Sequence, residues 1–97
     1  MPYVSIKSSD KAGKKLMAVF TRHNGSKKTI HFGQASADDY TITKDKEQRK
    51  RYLDRHRKNE NWNKAESAGA LSRWILWGPS TSRRENIKRY KKRFKLL

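Results

Sequence analysis

The three histidines are the residues of this sequence best suited to acid–base chemistry or metal binding near neutral pH. His23, His31 and His56 lack the His-x₃-His spacing of a helical zinc site, and the chain has no cysteine to complete one. His56 lies between Arg55 and Arg57, whose charges oppose its protonation and do not orient it as a general base. The sequence also lacks a glycine-rich phosphate loop. These patterns predict a non-enzymatic protein that uses no metal ion, no cofactor and no small-molecule substrate.

Basic residues give the clearest indication of what the chain binds. It has 25 Lys and Arg against nine Asp and Glu in 97 residues, a net charge of +16. Two segments hold much of this charge: residues 44–58 contain eight basic and three acidic residues, and residues 80–97 contain eight and one. Such a charge repels itself in a compact protein, so its expected use is attraction to an acidic partner.

The basic segments admit more than one interpretation. A solvated helix face normally mixes both signs of charge, and only Glu85 offsets the basic run over residues 88–95, so this run favours binding. The same residues are also compatible with a nuclear-import signal. Tyr90 and Phe94 are expected to pack inward while the basic side chains point outward. The residues predicted to bind an acidic partner or nucleic acid are Arg49, Lys50, Arg55, Arg57, Lys58, Arg73, Arg83, Arg84, Lys88, Arg89, Lys91, Lys92, Arg93 and Lys95.

The tryptophans add a second kind of contact. Trp74 and Trp77 are three residues apart in an apolar segment, which favours core packing over stacking on exposed bases. Trp62 lies in a polar stretch, and both roles stay open for it. Arg73 either stacks on one of these rings or is an ordinary exposed charge.

A β-hairpin is predicted over residues 16–32. Asn24 and Gly25 stand between two apolar runs, and this dipeptide is a strong hairpin signal because a type I′ turn needs positive φ at both central residues. We expect residues 16–22 to pair with residues 27–32. The preceding residues 1–13 are treated as an N-terminal arm in which residues 3–7 form a short strand or stay extended.

Three helices are predicted to follow the hairpin, over about residues 44–58, 67–77 and 81–95. Their start signals are Thr43 or Asp45, Ser67, and Ser82 with Glu85. The first helix is expected to end at a break that begins at Asn59. The second is expected to end at Gly78, as a left-handed cap before Pro79. A connector before the first helix is expected to turn Tyr40 and Ile42 inward. We expect Tyr52, Leu71, Trp74, Ile87 and Phe94 to be largely buried.

These elements together predict a small single α+β domain over residues 14–97, an N-terminal hairpin followed by three short helices. The absence of cysteine fits a reducing compartment. The longest apolar run, residues 74–77, is far shorter than the ~20 residues of a membrane span, and the N-terminus lacks the layout of a signal peptide. We therefore expect a soluble protein inside a cell or within a larger assembly.

Four segments resemble a family of small basic proteins encoded by large double-stranded DNA viruses of algae and protists, the chloroviruses and their relatives. They are residues 30–33 (IHFG), 39–41 (DYT), 51–62 (RYLDRHRKNENW) and 67–77 (SAGALSRWILW). The resemblance covers about residues 14–97. It implies no activity and assigns no binding residues, but it implies a virus-encoded, particle-associated protein found in the virion and, before assembly, in the cytoplasm or nucleus of the host.

Two functions follow as hypotheses. The first is a minor capsid or cement protein whose basic helices dock on acidic surfaces of viral capsid proteins. The second is a sequence-independent double-stranded DNA-binding protein of the packaged genome. The viral context and the aromatic-rich fold favour the first, because neutralising a genome needs no specific fold. Contact with the headgroups of a membrane is a third, weaker possibility, because the apolar stripe of the last helix is expected to serve the core.

Overall fold

The computed structural model describes residues 2–58 and 60–97. Met1, in the predicted arm, and Asn59, where the predicted helix break begins, lie outside the described residues. Within the described chain, three antiparallel strands form a sheet in the order β1 (Tyr3–Ser8), β2 (Lys14–Thr21) and β3 (Lys27–Gln34). The predicted α+β class and the pairing of β2 with β3 are therefore confirmed.

The turn between β2 and β3 differs from the predicted type I′. Gly25 has φ of +83°, but Asn24 is not among the residues with positive φ. The amide of Gly25 donates to the carbonyl of Arg22, and the amide of Arg22 donates to the carbonyl of Ser26, both at 2.9 Å. This is the alternative hairpin loop, in which a left-handed glycine follows a tight turn, so only Gly25 needs the left-handed conformation.

β1 lies within the predicted arm and forms one edge of the sheet. Its alternation places Val4 and Ile6 on the core side, and Val4 pairs with Phe20 of β2. The chain's last residue also lies against this strand, because the amide of Val4 donates to the carbonyl of Leu97 at 3.0 Å and the amide of Leu97 donates to the carbonyl of Pro2 at 3.2 Å. These two bonds flank Tyr3.

Four α-helices, instead of three, follow the sheet in the described chain: α1 (Tyr40–Thr43), α2 (Lys46–His56), α3 (Ala68–Leu71) and α4 (Arg83–Arg93). α3 continues directly into a π-helical turn, Ser72–Leu76. The predicted caps are present, since the side chains of Asp45, Ser67 and Ser82 accept backbone N–H groups at the starts of α2, α3 and α4.

The prediction that Tyr40 and Ile42 both point inward is wrong. Tyr40 is buried, whereas Ile42 is 52% exposed. The expected extended connector would place these two residues on one side, but α1 turns about 100° per residue and so directs them to different sides. Asp39 caps this helix by accepting the amide of Thr41 at 2.8 Å.

The core lies between one face of the sheet and the helices. Phe32, Leu71, Ile75, Leu76 and Tyr90 are almost completely buried there, and Tyr52 is also buried. Three residues that were predicted to be largely buried lie at the rim of the core and are only partly covered. They are Trp74, Ile87 and Phe94. They border the surface that carries the basic side chains.

Gly78 does not form the predicted left-handed cap, because its φ is not positive. A Cβ atom at this position would overlap the carbonyl oxygen of Trp74 and come within 2.7 Å of Asn86 Cγ. Glycine is thus needed here because the turn packs closely against α4.

Candidate anion-binding surface

Two arginines from different elements donate to one backbone oxygen. Arg49 of α2 directs its Nε to the carbonyl oxygens of Trp77 at 3.1 Å and Gly78 at 3.0 Å. Arg73 of the π-helical turn directs Nη1 to the same Trp77 oxygen at 3.1 Å. Carbonyls at the end of a helix lack partners within the helix, so the arginines satisfy groups that would otherwise be exposed or unpaired.

Arg73 also lies in a stack of aromatic and guanidinium groups. Its guanidinium carbon is 5.1 Å from the ring centre of Trp62 and 4.1 Å from that of Trp74. The guanidinium carbon of Arg93, on α4, is 3.8 Å from the Trp74 ring centre. The indole N–H of Trp74 donates to the backbone carbonyl of Trp62 at 2.8 Å and so ties the Trp74 ring to the backbone of Trp62. Each guanidinium is attracted by the ring it covers.

We call Arg49, Arg57, Arg73 and Arg93 the arginine cluster. Burial lowers the pKa of Arg73 to about 10, and the charges of Arg49, Arg93 and Arg57 contribute to this shift. Arg73 remains charged at neutral pH. Within residues 2–58 and 60–97, none of the four forms an ion pair with a carboxylate. The fold therefore brings together like charges from α2, the π-helical turn and α4 without neutralising them.

Two residues of the predicted set form ion pairs with carboxylates of the same domain. Arg83 lies 3.5 Å from the buried carboxylate of Asp39, which Lys15 also contacts at 2.6 Å. Arg89 pairs with Glu85 at 3.4 Å, one helical turn earlier. Arg83 is thus part of the connection between α4 and α1, and the sequence distance from its partner hid this role.

The remaining predicted residues lie on the surface of α2 and α4 or just beyond these helices. Lys91 is partly buried and the others are exposed, and in the described chain none of them forms an ion pair. They are Lys50, Arg55, Lys58, Arg84, Lys88, Lys91, Lys92 and Lys95. Together with the arginine cluster they give the helical side of the domain a strong positive charge.

A cleft of about 620 Å³ lies beside this surface. It is bounded by the start of β2 and the end of β3 on one side and by α2 and α3 on the other. Its lining includes Lys14 and Arg51, which the predicted set did not contain, and the floor includes Tyr52 and Trp77, whose rings stack 4.3 Å apart. Arg51 lay within the basic segment 44–58, so charge alone indicated it. Lys14 is far in sequence from both basic segments, and no feature of the neighbouring sequence indicated that it lines this cleft.

The histidines lie in separate surroundings. His31 Nδ1 is 2.7 Å from the hydroxyl of Ser9, and His56 Nδ1 is 3.2 Å from a carboxylate oxygen of Glu60 while its ring stacks on Tyr52 at 4.2 Å. Among the described residues, no group of three histidine or acidic side chains is placed to hold a metal ion.

In the same part of the chain, no helix is long and apolar enough to cross a membrane.

Comparison with known proteins gives one family match. The family of unknown function DUF5754 matches residues 4–56, more than half of the chain. This span contains the sheet except for Tyr3, together with α1 and α2, and so includes Arg49, but it ends before Arg73 and Arg93. No curated protein and no solved structure matches the chain.

Proposed function

This chain belongs to the DUF5754 family of unknown function, and we propose that it is a non-enzymatic structural protein of a large DNA virus particle. In this role it is a minor capsid or cement component that docks on acidic surfaces of capsid proteins. The viral setting rests on the sequence resemblance described above. The docking role rests on the surface chemistry of the domain.

The observation that carries the proposal is the convergence of the basic helices. Arg49 of α2, Arg57 directly after α2, Arg73 of the π-helical turn and Arg93 of α4 come together without a carboxylate partner in the described chain. Holding these charges together costs free energy in the isolated domain, and an acidic neighbour offsets that cost. This surface therefore supports binding to an acidic partner.

The opposite side of the domain favours a protein partner over nucleic acid. The outer face of the sheet leaves Met17 and Val19 half-buried, and Tyr3 at its edge is 48% exposed. Leu97, held beside Tyr3 by the two flanking backbone hydrogen bonds, is 61% exposed. Such apolar side chains gain from contact with protein and gain little from contact with a DNA backbone. A domain with one basic face and one partly apolar face suits a position between protein neighbours.

Sequence-independent binding of double-stranded DNA is the second candidate. The arginine cluster favours this function, because a guanidinium group matches the geometry of phosphate oxygens. In the described chain no carboxylate pairs with these arginines. Binding to membrane headgroups has less support, since Tyr90 of α4 is buried and Ile87 and Phe94 pack against the core. The apolar side of α4 is thus already used.

A charge-reversal experiment separates the two candidates. Arg84, Lys88 and Lys92 are exposed and four residues apart along α4, and we call them the α4 stripe. Particles are assembled with the α4 stripe changed to Glu, and the protein is then followed in purified shells after genome release and in the released DNA. The matched control changes three exposed lysines elsewhere, Lys11, Lys27 and Lys46, to Glu.

We expect the stripe variant to be lost from shells while the control variant is retained, because reversed charges oppose an acidic docking surface. Circular dichroism of both isolated variants should match the parent, since the altered side chains are exposed. If the stripe variant still enters shells but no longer accompanies the DNA, the DNA-binding function replaces the docking function. Equal incorporation of all three proteins into both fractions would contradict both.

A further inference from the structure

The outer edges of Arg49 and Arg73 carry hydrogen-bond donors that have no acceptor among the described residues. Arg49 uses only its Nε, and Arg73 uses only Nη1, in the hydrogen bonds of the described chain. Arg73 Nε is the one nitrogen of this pair that is both buried and unpartnered there. Nη1 and Nη2 of Arg49 and Nη2 of Arg73 are therefore accessible to solvent and able to donate.

These donors are held in place before any ligand arrives. Both side chains are fixed on the carbonyl oxygen of Trp77, and Arg73 is also packed against Trp62 and Trp74. Long basic side chains normally lose rotamer freedom when they bind, and this loss weakens binding. Here the fold has already imposed much of that order.

The local charge favours a ligand with more than one negative charge. Arg49 shares the Trp77 carbonyl oxygen with Arg73, and Arg93 stacks on the same Trp74 ring as Arg73. None of these three arginines forms an ion pair with a carboxylate in the described chain. A carboxylate offers two oxygens in one plane and matches a single guanidinium edge. A phosphate group offers oxygens in several directions, so it can accept from two guanidinium groups that approach from different elements.

We propose that the outer edges of Arg49 and Arg73 form a binding site for a phosphate group, with Arg57 and Arg93 adding long-range attraction. This inference goes beyond the docking function and does not depend on it. The phosphate has two possible sources, a free phosphate ion or the backbone of a nucleic acid.

The first test uses the unaltered protein. Inorganic phosphate is titrated into the isolated chain at constant ionic strength, with acetate and chloride as comparison anions, and the indole N–H signals of the three tryptophans are followed by NMR. We expect saturable shifts for Trp74 and Trp77 with phosphate and only small, linear shifts with acetate or chloride. Equal responses to phosphate and acetate, or no saturation with phosphate, would overturn the proposal.

The second test assigns the site to its residues. Arg49→Gln should weaken phosphate binding by about tenfold or more, because a charge-assisted hydrogen bond and one positive charge are lost. Lys46→Gln is the control: it removes the same charge from an exposed residue at the start of the same helix, and should change affinity by less than about twofold. Equal losses in the two variants would place the phosphate elsewhere. The NMR titration of the unaltered protein stays decisive if Arg49→Gln does not fold.

A third measurement identifies the source of the phosphate. The affinity of both variants for a short DNA duplex is measured at fixed salt concentration. If Arg49→Gln weakens duplex binding more than Lys46→Gln does, the site accepts a backbone phosphate. If the two variants lose duplex affinity equally while only Arg49→Gln loses inorganic phosphate, the site accepts a free phosphate ion. Either result supports the proposal and names the source.

Discussion

The side-chain amide of Asn86 donates to the backbone carbonyl of Ile75 at 2.9 Å and joins α4 to the π-helical turn in the interior of the domain. The same amide nitrogen donates to the carbonyl of Ser80 at 2.7 Å, and its oxygen accepts the amide of Ser80 at 3.0 Å. Asn86 is completely buried. One polar side chain therefore fixes the turn that positions Arg73 relative to Arg93.

Asn86→Ala should destabilise the domain by about 2–4 kcal/mol, because it leaves buried backbone groups unsatisfied and creates a small void. Urea unfolding followed by tryptophan fluorescence measures the loss. Asn63→Ala is the control, since Asn63 is exposed and surface substitutions usually change stability by less than about 0.5 kcal/mol. Similar losses in the two variants would contradict the structural role of Asn86.

Gly78→Ala should cost about 1–3 kcal/mol, because the added Cβ would overlap the Trp74 carbonyl oxygen and approach Asn86. Gly69→Ala is a matched comparison. Its Cβ would approach only the flexible end of the Glu60 side chain, at 3.1 Å, and alanine favours the helical conformation of α3. Thermal unfolding of both variants should show a clear loss for Gly78→Ala and little or none for Gly69→Ala. The reverse order would show that the turn is looser than described.

Local signals explain which parts of the fold the sequence allowed us to predict. The hairpin and the caps at Asp45, Ser67 and Ser82 depend on residues within a few positions of one another, and all are present. The pairing of Leu97 with β1 and the ion pair between Arg83 and Asp39 depend on residues far apart in sequence. Composition and periodicity carry no information about such pairs.

The candidate site also combines residues that are far apart in sequence. Arg49, Arg73 and Arg93 were each predicted to bind a partner because they belong to basic segments. Their meeting around the Trp77 carbonyl and the Trp74 ring results from how three separate elements pack. The interpretation of Arg73 as a stacked residue was one of two open alternatives, and the structure supports it.

Alkaline pH should destabilise the domain through Tyr90. Burial raises the pKa of Tyr90, and its hydroxyl donates to the carbonyl of Ala65 at 2.7 Å. Because the folded-state pKa lies above the unfolded value of about 10, the stabilisation is complete below that pH and is lost as pH rises toward the folded-state pKa. Tyr90→Phe should therefore show a shallower loss of stability above about pH 10. The measurement is urea unfolding between pH 8 and 11.5, in steps of about half a unit.

Two features make this comparison specific. The lowered pKa of Arg73 acts in the opposite direction above about pH 10, but it is present in both proteins and cancels in the difference. Tyr3→Phe is the control, because Tyr3 is 48% exposed and its hydroxyl can reach solvent. Identical alkaline profiles for Tyr90→Phe and the parent would show that Tyr90 does not contribute.

Duplex DNA should bind the isolated protein without sequence preference, because the exposed lysines and arginines of α4 offer phosphate contacts and no fixed set of base-reading side chains. The logarithm of the binding constant should fall linearly with the logarithm of the salt concentration, by ~0.9 for each phosphate neutralised. Changing the α4 stripe to Gln should reduce this slope by ~0.9 for each of its residues that contacts a phosphate. Changing Lys11, Lys27 and Lys46 to Gln removes the same charge from other parts of the surface and should leave the slope nearly unchanged. Equal reductions in both variants would mean that total charge, and not the helical face, determines binding. A salt-independent or sequence-selective interaction would exclude binding through phosphate contacts altogether.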